Sequence, residues 1–175
     1  LDYPGHLACT IFLGGCNFRC PFCHNASLVL SPSALPVTPE EEVFKTLRKR
    51  VGILEGVCIT GGEPSLYPGL TKFIEKIKEL GYLVKLDTNG NNPQVIKELA
   101  EKSYVDYIAM DIKNSREKYG LSNGIPGFDT RRVEESVEYL LSAPVDYEFR
   151  TTVVAEHHTL DDMIQIGKWI QGAKA

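Results

Sequence analysis

No stretch of this chain is apolar for long enough to cross a membrane, and no secretory signal peptide opens it. The expected compartment is therefore the cytoplasm, with no membrane partner. Neither sign of charge dominates: 19 Lys and Arg stand against 23 Asp and Glu, a formal net charge of −4. The one basic run, Arg48-Lys49-Arg50, ends a predicted helix, where cations favour the helix dipole. That balance argues against a nucleic-acid surface. Internal repeats, low-complexity tracts and linkers long enough to divide the chain are missing too. The 175 residues read as a single domain, 1–175, with 43% hydrophobic and 24% charged content. An initiating Met is also missing, so a trimmed or partial chain is expected.

Cysteines are few, but three of the five fall within eight residues, Cys16, Cys20 and Cys23, in the spacing C-x3-C-x2-C. A loop this tight cannot spread three thiols over long-range disulfides. It can wrap three thiolates around one metal centre, as expected of clustered cysteines in a reducing compartment. A 4Fe–4S cluster normally takes four thiolates, so three would leave one iron open to a non-protein ligand. The alternative is zinc with His24 as fourth ligand. His24 directly follows Cys23, which strains a single tetrahedron. Cys9 and Cys58 each lie inside an apolar run and read as core.

The remaining pattern alternates strand and helix. Leu7–Leu13 is a continuous apolar run, suited to a strand buried on both faces. Thr38 is predicted to cap a helix, with Pro39 at its first position and Glu41 completing a capping box. Strands are predicted at Gly56–Thr60, Tyr82–Leu86, Val105–Met110 and within Val145–Val154. Helices are predicted through Leu70–Leu80, from Asn92-Pro93, through Val133–Leu141, and from a Thr159 cap with Met163, Ile164, Ile166 and Ile170 apolar. Gly120–Gly127 reads as a connector.

Five β–α units imply a parallel sheet, either open and doubly wound or an incomplete barrel. In both, functional groups belong at the carboxyl ends of the strands. The polar clusters fall there: the cysteine loop, Gly61-Gly62-Glu63-Pro64, Asp87-Thr88-Asn89-Gly90, Asp111-Ile112-Lys113 and Arg150-Thr151-Thr152. Each alone reads as a turn, a cap or a solvated charge. Together on one rim they read as a site.

With these residues assembled, the chain resembles the radical S-adenosylmethionine superfamily. The resemblance rests on Cys16-x3-Cys20-x2-Cys23, Phe22 before the last cysteine, and Gly61-Gly62-Glu63-Pro64. It is similar to the activating enzymes of glycyl-radical enzymes. Nearest is the anaerobic ribonucleoside-triphosphate reductase activating group, through Asp2-Tyr3-Pro4-Gly5, Ile11-Phe12-Leu13-x2-Cys16-Asn17 and Cys20-Pro21-Phe22-Cys23-His24-Asn25. Pyruvate formate-lyase activating enzymes look similar through Cys23-His24-Asn25, Asp87-Thr88-Asn89-Gly90 and Asp111-Ile112-Lys113.

The resemblance implies an α/β fold, a partial (β/α)6 barrel in which about five units are visible and part of the sixth is missing. It implies a 4Fe–4S cluster on Cys16, Cys20 and Cys23, with S-adenosylmethionine chelating the open iron. It further implies that Gly61, Gly62 and Glu63 receive the methionine ammonium and that Phe22 lies near the adenine. Thr88, Asn89, Asp111, Lys113 and Arg150 would line the ribose, the carboxylate and the reacting side. A monovalent cation near Asp87 and Asp111 is a further implication. The implied partners are a glycyl-radical enzyme and a flavodoxin- or ferredoxin-type electron donor. The Gly120–Gly127 connector and the His157-His158 loop would flank the mouth. Two alternatives remain: a radical enzyme acting on a small molecule, and a non-catalytic module stabilised by zinc or a cluster.

Overall fold

A helix separates every strand of this chain from the next, and that spacing decides the topology. The computed structural model describes residues 2–174. The strands are β1 (Ala8–Leu13), β2 (Gly56–Gly61), β3 (Leu83–Thr88), β4 (Tyr107–Asp111) and β5 (Asp146–Arg150). They pair in parallel, in the order β1-β2-β3-β4-β5. Five parallel strands with no reversal of order decide between the two architectures. Right-handed crossovers that always step the same way put their helices on one face of the sheet. The result is a sector of a barrel, not a doubly wound sheet.

The two faces differ sharply, as the two-residue period of a strand requires. On the helix side, Val57, Ile59, Val84, Leu86, Ile108 and Met110 are sealed into one core. That core includes Leu70, Phe73, Ile74 and Ile77 of α3 (Leu70–Glu79), and Ile96 and Leu99 of α4 (Pro93–Glu101). Val133, Val137 and Leu140 of α6 (Arg131–Ser142) complete it with Ile166 of α7 (Leu160–Trp169). The concave face is polar. Register sets Thr10 beside Cys58, Cys58 beside Lys85, and Asp111 beside Arg150. Near the amino ends of the strands, Tyr3 packs against Gly56 and Tyr107. Asp2 accepts a hydrogen bond of 2.8 Å from Thr10 Oγ1.

Several sequence expectations need correction. β1 is an edge strand and is not buried on both faces: Phe12 is 53% exposed on the concave side. Cys58 is fully buried, whereas Cys9 is only half-buried against the core. Thr38 does not cap α2 (Glu40–Arg50); Pro39 holds the cap position with no side-chain bond, and Glu40, Glu41 and Glu42 crowd the first turn instead. There the dipole favours them without a capping box. β3 runs on to Thr88, so Asp87 and Thr88 are strand residues, not a turn. β5 stops at Arg150, leaving Thr151 and Thr152 beyond it. Ile164 is an outward position of α7.

Two short helices went unforeseen, α1 (Ala26–Leu30) after the cysteine loop and α5 (Tyr119–Asn123) inside the expected glycine-rich connector. The Thr159 cap is present, with Asp162 closing its box.

Candidate functional site

The carboxyl ends of the strands surround a cavity of about 530 Å³. One side is the cysteine loop, which contributes Cys16, Cys20, Phe22 and Cys23. Gly61 and Gly62 follow from the end of β2, and Asp87, Thr88 and Asn89 from the end of β3. Asp111 and Lys113 line it from β4, and Arg150 from β5. His24, Thr151 and Thr152 also reach it.

Backbone hydrogen bonds stitch the cysteine loop to the end of β2. Gly62 N donates to Leu13 O at 2.8 Å, and Glu63 N to Gly15 O at 2.8 Å. Asn25 Nδ2 donates to Gly61 O at 3.1 Å. Gly61 sits at φ +117°, a conformation only glycine adopts without strain. At Gly62 the constraint is space, since an added Cβ would overlap the Gly15 carbonyl. On the far side of the loop, Arg19 N donates to Asn123 O at 2.8 Å, so the unforeseen α5 braces it.

Glu63 is the one expected site residue that does not line the cavity. It is 2% exposed, behind the wall. Its carboxylate accepts from Ser65 N at 3.0 Å, Thr88 Oγ1 at 2.8 Å and Asn89 N at 2.6 Å. Burial raises its pKa and these donors oppose the shift. The carboxylate therefore ties the ends of β2 and β3 together, and the cavity meets the backbone of the Gly61-Gly62 turn.

The charges on the concave face form a ladder. Lys85 Nζ pairs with Asp87. Arg150 spans Asp87, at 3.5 Å, and Asp111, at 3.3 Å. Lys113 Nζ donates to Asp111 Oδ2 at 2.8 Å. Burial works against the charge on Lys113, but Asp111 and the nearby thiols outweigh it and its pKa rises. Desolvation likewise raises Cys16 and Cys20, while Lys113 pulls both back toward the thiolate. Lys85 escaped the sequence reading. The available signal was its place two residues before Asp87 in a strand, which puts both on one face.

Among the described residues, no three His, Cys, Asp or Glu side chains converge on one point as a single ion needs. The three thiols instead line a shared cavity as free cysteines. Three thiolates holding a 4Fe–4S cluster would not need to converge on one atom. The donor set, its partial burial and the Lys113 ammonium beside it fit such a group. Phe22 is held by His157, edge to face at 5.6 Å between ring centroids. His158 joins the loop after β5 to the end of β4 through Nε2 and the Lys113 carbonyl, at 2.9 Å.

The sequence pattern of the radical SAM superfamily matches residues 10–170. The chain belongs to that superfamily. A protein of Methanocaldococcus jannaschii, assigned by inference as a glycyl-radical enzyme activating enzyme, is 38% identical over 120 residues, covering 68% of this chain and 48% of its own length. A 7-carboxy-7-deazaguanine synthase of Koribacter versatilis is 28% identical over 159 residues, 89% of this chain and 66% of that protein. The chain thus spans about half the length of the M. jannaschii relative. Among solved structures, AdoMet-bound anSMEcpe superposes with a TM-score of 0.71 at 23% identity, covering 94% of this chain and 48% of that one. Another structure of the same protein holds AdoMet and the Cp18Cys peptide. The radical SAM fold, a partial barrel, is the one these strands build. Membership implies a 4Fe–4S cluster and S-adenosylmethionine.

Proposed function

We propose that this chain is the S-adenosylmethionine-cleaving part of a glycyl-radical enzyme activating enzyme, and that its partner is an anaerobic ribonucleoside-triphosphate reductase. The observation that carries the reading is the shared cavity: three free thiols face the polar ends of four strands across one opening. The M. jannaschii relative supports a protein substrate for that site.

In this reading Cys16, Cys20 and Cys23 hold the cluster. The backbone of Gly61 and Gly62 receives the methionine ammonium. Lys113 and Arg150, already fixed by Asp111, attract the carboxylate. Phe22 offers a face or edge to the adenine, and Thr88 and Asn89 line the ribose side. When bound, the cluster and S-adenosylmethionine supply reductive cleavage of the S–C5′ bond and the hydrogen abstraction that follows. The protein positions the reacting groups and excludes water around them. Glu63 acts from behind, by fixing the turn that meets the cofactor. A monovalent cation near Asp87 and Asp111 belongs to the same reading, where it would share those carboxylates with Lys85, Lys113 and Arg150. A flavodoxin- or ferredoxin-type protein in the cytoplasm delivers the electron.

A second reading, a radical enzyme acting on a small molecule, is favoured by the deazaguanine synthase relative, which covers more of this chain. One experiment separates the two. The anaerobically reconstituted, reduced protein is incubated with S-adenosylmethionine and an anaerobic reductase. A glycyl-radical doublet by electron paramagnetic resonance is the expected result. Release of 5′-deoxyadenosine with a small molecule, and no doublet with the reductase, overturns the activase reading.

A further inference from the structure

The side-chain amide of Asn89, at the rim of the cavity, is held through each of its polar atoms. The residue is 5% exposed, at the end of β3. Its backbone N–H donates to Glu63 Oε2 at 2.6 Å, and its Oδ1 accepts from Asn91 N at 3.0 Å. With Oδ1 engaged, the NH2 group can only point the other way. There Nδ2 meets Asn17 Oδ1 at 2.7 Å and Cys16 Sγ at 3.8 Å. The same sulfur accepts from Phe18 N at 3.3 Å. A buried carboxylate on one loop thus sets the direction of an amide on a second loop, and that amide faces a cysteine on a third.

We infer that Asn89 donates a hydrogen bond to the Cys16 thiolate and so raises the reduction potential of the cluster ligated there, with Glu63 and Asn17 as positioning residues. The inference rests on the reading of Cys16 as a cluster ligand. The physical argument is electrostatic. One-electron reduction adds negative charge that is shared by the ligand sulfurs. An N–H dipole aimed at a sulfur stabilises the more negative state more than the oxidised one, and hydrogen bonds to sulfur are a known control on such potentials. Removing the donor must make the cluster harder to reduce. A buried, low-dielectric setting keeps water from replacing it fully. Glu63 matters because its loss frees the backbone of Asn89. Asn17 matters because its Oδ1 holds the amide within reach of the sulfur.

The test is a potentiometric titration of the reconstituted cluster without S-adenosylmethionine, followed by visible absorption and electron paramagnetic resonance. Asn89→Ala is expected to reduce the ratio of reduced to oxidised cluster about tenfold at a fixed potential, a shift of about −59 mV for one electron. Asn89→Asp, which keeps the shape but replaces a donor with a negative charge, is expected to shift further in the same direction. Asn17→Ala should give a smaller negative shift, since it leaves the amide present but less directed. An Asn89→Ala cluster with wild-type potential overturns the inference alone. If that variant retains no cluster, Asn17→Ala carries the test, and an unshifted potential there overturns it. A wild-type protein that assembles no iron and sulfide overturns the cofactor reading, and the inference with it. A merely structural role for Asn89 would change the amount of cluster retained but leave its potential where it was.

Discussion

Replacing Lys85 by Met tests whether the charge ladder on the concave face holds the sheet together. The Lys85 side chain is 1% exposed and pairs with Asp87, whose side chain is 17% exposed. Removing the ammonium leaves the Asp87 carboxylate with the Arg150 guanidinium at 3.5 Å as its remaining partner. Deleting one member of a buried pair costs about 3–5 kcal/mol, because the stranded charge keeps its desolvation penalty. Arg150 retains part of the compensation, which places the expected loss at the lower end, about 3 kcal/mol. In a chain of this size that corresponds to a fall in Tm of about 6–12 °C. With a urea slope of about 2 kcal/mol/M, the unfolding midpoint drops by about 1.5 M. Adding Asp87→Asn removes the stranded charge, so the double variant should recover at least about 1 kcal/mol over Lys85→Met. Urea unfolding followed by circular dichroism measures all three proteins. A loss below about 1 kcal/mol for Lys85→Met, or a double variant less stable than the single one, refutes the reasoning.

Two further outcomes follow from the packing and the charges. Gly62→Ala forces a Cβ into the Gly15 carbonyl and should destabilise the protein by about 1–3 kcal/mol while reducing iron uptake on reconstitution, both measurable on one preparation. Unchanged stability would mean the two loops are not in contact. Asp162 is held well below the ordinary carboxylate range, first by Lys118 and then by Thr159, with Ser115 also donating. A carboxyl depressed in the fold adds stability above its unfolded value, about 3.9, and that contribution is lost as pH falls toward the folded value. Urea midpoints should therefore fall between about pH 5 and pH 2, and less steeply in Asp162→Asn, which should also be the less stable protein at pH 7. Parallel acid profiles for the two proteins would count against the assignment.

The cysteine loop and the alternation of strands and helices were legible because both are local. Spacing alone brings Cys16, Cys20 and Cys23 onto one loop, and the apolar periods of α3, α4 and α6 announce their buried faces. The rim was legible by the same logic, since parallel β–α units send the ends of all strands to one side. Small gains and losses came from tertiary contacts. The short helix α5 was hidden because Gly120 and Gly124 read as breakers, yet Gly124 at φ +75° is its C-cap and Asn123 braces the cysteine loop. The Thr38 cap failed because a favourable cap is worth only about 1 kcal/mol, which local chain path readily overrides.

The sequence by itself determined the cysteine spacing, the parallel β–α architecture and the list of polar groups at the strand ends. It could not decide which way each group faces or what it meets. Glu63 reads as a cofactor contact from its motif, but the fold pairs it with Thr88 and Asn89, 25 and 26 residues away, and closes it off from the cavity. Lys85 reads as an ordinary charge, but strand order places it inside the barrel sector beside Asp87 and Cys58. The barrel itself required the order β1-β2-β3-β4-β5, which no spacing encodes. Local propensity acts over one turn or one strand. The direction of a carboxylate is set by donors that only the folded chain brings within hydrogen-bonding distance.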